Sequence, residues 1–195
     1  MSGDLVRGKR AILIVLAAAL AGMLLAGCNA NTPEATPAGD ANGLFQQGNA
    51  AFEVGNLAEA EQAFKQALEI DPTNAAYWTN LGVTYYSLGQ LEDAEQAFLS
   101  GLEAEPDDAE LHYLLGATYL QLDRMDDAQS NLEAATELDP DLPEPYFGLG
   151  ALYQLQGDRE EAIKAFERFL KVGPGQDPAA GPAAQATLEA LQAGQ

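Results

Sequence analysis

Apolar residues along most of this chain recur at i, i+3, i+4 and i+7, the spacing that lines one face of an α-helix with side chains fit for burial. These stripes come in pairs, the first at about residues 44–55 and 57–70, and the pair returns every 34 residues. Four copies, 41–74, 75–108, 109–142 and 143–176, abut without a gap. The eighth position of each copy is Gly48, Gly82, Gly116 and Gly150, and twelve residues later stand Ala60, Ala94, Ala128 and Ala162. Two columns that do not vary within one chain identify a repeat without any second sequence. Their small side chains let two helices approach closely, with large residues such as Trp78, Leu81, Tyr85 and Phe98 filling the space around the contact.

The breaks between stripes have the chemistry of helix ends. Gly55, Gly89, Asp123 and Gly157 stand between the two helices of each copy, where a left-handed backbone is wanted. Asn56 and Asp158 follow in N-cap position, Asp158 with Glu161 three residues on as a capping box. Pro72, Pro106, Pro140 and Pro174 close each second helix, because proline cannot continue one.

Trp78, Leu81, Gly82, Tyr85, Gly89, Ala94, Phe98 and Pro106 fall in order on the signature positions of the tetratricopeptide repeat, and the chain resembles that family over its four copies. Leu44, His112 and Tyr146 replace the tryptophan in the other copies. Gln47 and Ala51 weaken the first, and Gly101 and Phe169 stand where Ala67 and Ala135 keep a small alanine. Phe169 needs extra room nearby. The resemblance implies an all-α fold, a right-handed superhelical solenoid of four helix pairs plus a C-terminal capping helix. Residues 177–195 are expected to supply that cap as a helix beginning near Pro182, with Ala184, Leu188 and Leu191 on one stripe. The competing reading is a disordered tail, since Pro178, Gly181 and Pro182 interrupt it.

The first residues have a different logic. Arg7, Lys9 and Arg10 precede an uncharged run from Ala11 to Ala26, too short for a spanning helix, which needs roughly 20 residues, and apt for a signal peptide over 1–27. Leu25-Ala26-Gly27-Cys28 resembles the lipobox of bacterial lipoproteins. That resemblance implies cleavage after Gly27 and a diacylglyceryl thioether on Cys28, the chain's single cysteine, with two or three acyl chains (palmitate-type) holding the protein to a membrane. An uncleaved anchor, or a secreted protein with an incidental cysteine, are the alternatives. Residues 28–42 carry no bulky apolar side chain and read as a flexible tether with a reach on the order of 20 Å. The expected location is the cell envelope, outside the cytoplasm, with inner and outer membrane both open.

Charge narrows the partners. Removing 1–27 takes away Arg7, Lys9, Arg10 and Asp4, which leaves six Lys/Arg against 29 Asp/Glu. Phosphate binding needs a basic patch, so nucleic acid is disfavoured. Catalysis and metal binding lack the means as well. The single histidine, His112, sits at a packing position, and neither a phosphate loop nor a nucleophile elbow occurs. No enzyme activity and no cofactor are expected.

In tetratricopeptide arrays the first helices line a concave groove, and carrying that surface over residue by residue gives the expected partner-binding set. Position 5 supplies Phe45, Thr79, Tyr113 and Phe147; position 9 supplies Asn49 and Val83, with Ala117 and Ala151; position 12 supplies Phe52, Tyr86 and Leu120, with Gln154. The position 5 rings are expected to be exposed, whereas those at position 12 could equally fill gaps between repeats. Asn49 and Asn80 match the two amides of the family's carboxylate clamp, but Phe45, Glu110 and Leu114 stand where its cations belong, so a working clamp is not expected. Rings near Glu53, Glu110 and Glu144 suit an apolar peptide or helix with some basic residues. The functional expectation is a membrane-anchored adaptor binding a protein partner, similar in plan to pilotin and outer-membrane-assembly lipoproteins. A self-associating structural protein and a cell-wall accessory are the alternatives.

Overall fold

A computed structural model describes residues 40–173 and 179–194. The leader, Cys28, most of the tether and Pro174 lie outside the described residues. Among the described residues there are nine α-helices and no strand: α1 (Ala41–Glu53), α2 (Leu57–Ile70), α3 (Ala75–Leu88), α4 (Leu91–Ala104), α5 (Ala109–Gln121), α6 (Met125–Leu138), α7 (Glu144–Gln156), α8 (Arg159–Val172) and α9 (Ala180–Ala193). The helices fall in the expected pairs, and the chain divides into two compact units whose boundary lies between Leu111 and His112.

In the amino-terminal unit α1 packs on α2, α2 on α3, and α3 on α4. Its first core gathers Ala60, Phe64, Ala67, Leu68, Tyr77 and Leu81, with Leu44, Phe45, Phe52, Trp78 and Tyr85 packed around them. In the carboxy-terminal unit α6 packs on α7, α7 on α8, and α8 on α9. The buried residues of α8 are Ala162, Ala165, Phe166 and Phe169, one stripe at helical spacing.

The glycine column has a more specific partner than the alanine column opposite. A Cβ on Gly48 would come within 2.5 Å of the Phe64 ring, and one on Gly150 within 2.8 Å of Phe166. Gly82 meets Phe98 in the same way, and Gly116 meets Leu132 with a Cβ 2.8 Å from its Cγ. Each eighth-position glycine is therefore the seat of the large side chain sixteen residues on. The alanine column is fully buried beside it.

Every turn inside a repeat is closed by main-chain bonds around one left-handed residue. Gly55, Gly89, Asp123 and Gly157 have φ of 77°, 76°, 61° and 85°. Their N–H groups reach back to Phe52, Tyr86, Leu120 and Gln154, and the next N–H reaches five residues back, as from Asn56 to Ala51 O at 2.8 Å and from Asp158 to Tyr153 O at 2.9 Å. This corrects the capping expectation. Asn56 and Asp158 occupy the N-cap positions, but neither side chain caps its helix. Their backbones are committed to closing the preceding helix, which holds ψ at 68° and 74° instead of the extended value a capping side chain favours. The Asn56 amide donates instead to Glu59 Oε2 at 2.7 Å. Side-chain caps form at the start of the first and third repeats, where Asp40 Oδ1 accepts from the Asn42 N–H at 3.3 Å and Asp108 Oδ1 from the Leu111 N–H at 3.0 Å, whereas Asn74 and Pro143 begin the other two without one.

The segment after the fourth repeat is a helix. It starts at Ala180, so Pro182 falls in its first turn, where a missing N–H leaves no helix bond unmade. Ala180, Ala184 and Leu188 are buried, and Arg159 donates to Gln192 O at 3.1 Å. Among the described residues no helix is long and apolar enough to cross a membrane.

Candidate partner-binding surface

In the amino-terminal unit the expected surface residues sit on α1 and α3. Phe45 is half-buried because its ring is shared between repeats: its centroid lies 5.8 Å from that of Phe64 in α2 and 4.8 Å from that of Tyr77 in α3. The expectation of a free ring there is corrected, since Phe45 forms part of the packing between the first two helix pairs. Val83 and Tyr86 are buried. Thr79 is half-buried, and its hydroxyl donates to Ala75 O at 2.9 Å, a bond that keeps it within its own helix.

Asn49 and Asn80 meet directly. The Asn80 side-chain N–H donates to Asn49 Oδ1 at 2.7 Å, joining α1 to α3. Each amide carries one acceptor and two donor hydrogens, so this bond uses one group on each and leaves the Asn49 amino group and the Asn80 carbonyl oxygen as further hydrogen-bonding groups. Both residues are half-buried, as is Phe52, one turn beyond Asn49 on α1. Asn49 of the expected surface, with its partner Asn80 and the accessible side of Phe52, whose other side packs on the first core, is thus what this unit leaves open.

Burial is greater in the carboxy-terminal unit. Tyr113 is 0% exposed and Leu120 9%. Phe147 is 7% exposed and packs edge-on against Phe166 and Phe169, with centroids 5.6 Å and 5.3 Å away. Position 5 was expected to be the less needed by the core, and Phe147 shows the reverse. The bulky Phe169, standing where the other repeats have Ala67, Gly101 and Ala135, packs against it. Ala117 and Ala151 are buried, while Gln154 is exposed. His112 places Nδ1 3.1 Å from Asn131 Oδ1, linking α5 to α6 in a structural role.

Two phenols are held in their neutral form. Burial first, then the carboxylates of Asp71 and Asp40, push Tyr77 above its ordinary value of 10.0. Tyr153 is raised by burial and then by Glu133, whose Oε1 accepts from its hydroxyl at 3.2 Å. Neither group is a base at neutral pH, and both act as packing residues with one polar end.

Paired helices closed by left-handed turns, with a row of glycines seating three phenylalanine rings and one leucine, define a helical-repeat protein. Two tetratricopeptide-repeat family models match, one over residues 51–118 and one over 107–172, and across residues 51–172 the chain belongs to that family. Among solved structures it is similar to pilF of Pseudomonas aeruginosa, at 21% identity and a TM-score of 0.70, covering 79% of this chain and 68% of that one. It is also similar to the MamA protein, at 25% identity and a TM-score of 0.65, covering 78% and 86%. A third is YrrB, described as a tetratricopeptide protein with an unusual peptide-binding site, at 24% identity and a TM-score of 0.61, covering 78% and 80%. No match is found among curated proteins.

Proposed function

We propose that this protein is a lipid-anchored adaptor of the cell envelope, facing outside the cytoplasm, that holds a peptide segment of a protein partner along its first helices. The observation that carries the binding half is the Asn49–Asn80 pair beside Phe52. Two amides bonded to each other keep a donor and an acceptor in fixed positions, which suits the main chain of an extended ligand, and the neighbouring ring offers an apolar anchor. Membership of the tetratricopeptide family and the peptide-binding site described for YrrB support this reading. The anchoring half rests on the sequence from Leu25 to Cys28 and on the tether that follows.

The test pairs two variants of the full chain. Cys28→Ser should move the protein out of the lipid-modified membrane fraction without changing which partner it captures. Asn49→Ala with Asn80→Ala, which removes both partners of one bond and leaves neither unpaired, should leave localisation and helicity intact and abolish capture from native membranes. A double variant that captures the same partner as the wild type refutes the first-helix surface, and a Cys28→Ser protein that still carries lipid refutes the anchor.

A further inference from the structure

A second surface lies away from the amide pair, where α2, α3 and α4 of the amino-terminal unit meet. They enclose an open cavity of about 560 Å³ lined by Leu68, Leu81, Trp78, Lys65, Glu69 and Asp93. The indole of Trp78 is fixed by its N–H, which donates to Pro72 O at 2.8 Å. Lys65 is committed within the unit: its Nζ lies 2.6 Å from Glu61 Oε1 and 5.4 Å from the centre of the Tyr85 ring. Among the described residues neither Glu69 nor Asp93 forms an ion pair, so the cavity is apolar with an acidic balance.

The fourth repeat has the same arrangement with its own side chain in place. Tyr146 stands where Trp78 does, and its hydroxyl donates to Pro140 O at 3.1 Å, as Trp78 donates to Pro72 O. There Arg168 covers the ring, its guanidinium carbon 5.3 Å from the ring centre, while Nη2 donates to the same Pro140 oxygen at 2.9 Å and lies 4.0 Å from Asp141 Oδ1. The equivalent position of the second repeat is Ser100, whose hydroxyl turns back to Gln96 O at 3.0 Å and reaches neither the ring nor the proline carbonyl.

We propose that the Trp78 cavity seats an arginine side chain of a partner peptide, in the way the fourth repeat seats its own Arg168. The guanidinium stacks on the indole, donates to the second lone pair of Pro72 O, and is balanced by Glu69 and Asp93, while apolar neighbours in the peptide lie on Leu68 and Leu81. Pro140 O already accepts two donors, so the geometry asks nothing new of the carbonyl. Arginine fits better than lysine because its planar fork can stack and donate at once. A second copy of this chain is a poor occupant. Beyond residue 27 the chain has six Lys/Arg against 29 Asp/Glu, so copies repel each other and a basic partner is attracted. This site is independent of the Asn49–Asn80 surface and stands or falls separately.

Trp78 is the only tryptophan in the chain, so its emission reports the cavity directly. The probe is the tripeptide acetyl-Leu-Arg-Leu-amide titrated into the full-length protein in detergent, beside the same peptide with citrulline replacing arginine. The arginine peptide should give a saturable change in emission. Citrulline, which keeps the shape and loses the charge, should bind about tenfold more weakly, the scale of one ring–cation contact with a charged hydrogen bond. Ser100→Arg should abolish binding by supplying the side chain from within. Glu69→Gln with Asp93→Asn, both at exposed positions, should weaken binding several-fold and leave the circular dichroism unchanged, which keeps the test decisive should Ser100→Arg fail to fold. The absence of a saturable change, equal binding of the citrulline peptide, or unaltered affinity in the Glu69/Asp93 variant overturns the proposal.

Discussion

Gly82→Ala and Gly101→Ala make the same chemical change in two adjacent helices, at mid-helix in one and in the last turn of the other, and the structure gives them different outcomes. On helix propensity alone each gains about 1 kcal/mol, since alanine is the better helix former. At Gly82 the new methyl would lie 2.6 Å from Phe98 Cδ1 and 2.9 Å from Cζ, and closer still to Cε1. Phe98 is fully buried, so the ring has no exit and α3 must move away from α4. Overpacking of this kind costs roughly 1–3 kcal/mol or more, so against the gain in propensity Gly82→Ala should be a net loss of up to about 2 kcal/mol. At Gly101 the methyl would meet the two Leu111 methyls at 3.1 Å; Leu111 is also fully buried, but a shift of a few tenths of an ångström relieves this contact, far less than the Phe98 ring would need. Ala67 and Ala135 occupy the same position in two other repeats, and Gly101→Ala should be neutral or gain up to about 1 kcal/mol. Urea unfolding followed by Trp78 emission and far-ultraviolet circular dichroism measures both. With a slope of about 1–3 kcal/mol per molar, the two midpoints should separate by about 1 M, with the wild type at or between them. Variants that shift together, in the same direction and by the same amount, would show that Phe98 does not rest on Gly82 and that the glycine column has some other origin.

Three further expectations follow from individual contacts. Asp123 is the one non-glycine residue with positive φ among the described residues, and Asp123→Gly should raise thermal stability by about 1 kcal/mol; a loss would mean that its side chain contributes more than its backbone costs. Phe45→Ala should cost about 2–3 kcal/mol, somewhat below the roughly 3–5 kcal/mol of a fully buried ring, because it breaks ring contacts to both Phe64 and Tyr77; unfolding at the wild-type midpoint would restore Phe45 to the list of free surface rings. Tyr77 is raised in the folded state, so its contribution is complete below its ordinary value of 10.0 and is lost as pH rises through the folded value, where the unfolded phenol has already ionised. Urea midpoints should therefore fall between about pH 8 and about pH 11, and fall less in Tyr77→Phe; an equal drop in both proteins would assign the loss elsewhere.

What the sequence made legible is whatever repeats. The glycine, alanine and proline columns and the four turn residues each carry a signal multiplied by the number of copies, and the helices fall in the pairs that this arithmetic implies, with the second helix of the first copy at 57–70 as expected and the first at Ala41–Glu53, earlier than the expected 44–55. The position 5 rings show where this fails. Phe45 and Phe147 lie on the first helices as expected, but whether such a ring points to solvent or to the next helix depends on what stands opposite, Tyr77 in one case and Phe169 in the other, and neither neighbour belongs to the same stripe. The caps failed for a related reason. Asn56 and Asp158 have capping side chains, yet their backbone angles are dictated by the turn before them. Ser100 and Arg168 were visible all along at matching positions. Their difference acquires meaning only once Arg168 is seen to share the Pro140 carbonyl with Tyr146.

The pairing of each glycine with the side chain sixteen residues later also governs how fast the chain can fold. Contacts so near in sequence close short loops, and the entropy lost in closing them is small compared with that of distant pairings. Each helical hairpin can therefore nucleate on its own glycine and the large side chain seated on it before its neighbours have formed, and structure can spread outward from whichever copy succeeds first. A chain of this kind has no single segment whose late arrival holds up the rest. Slowing its refolding should require damage to several hairpins at once, whereas one disrupted glycine leaves the other three free to start.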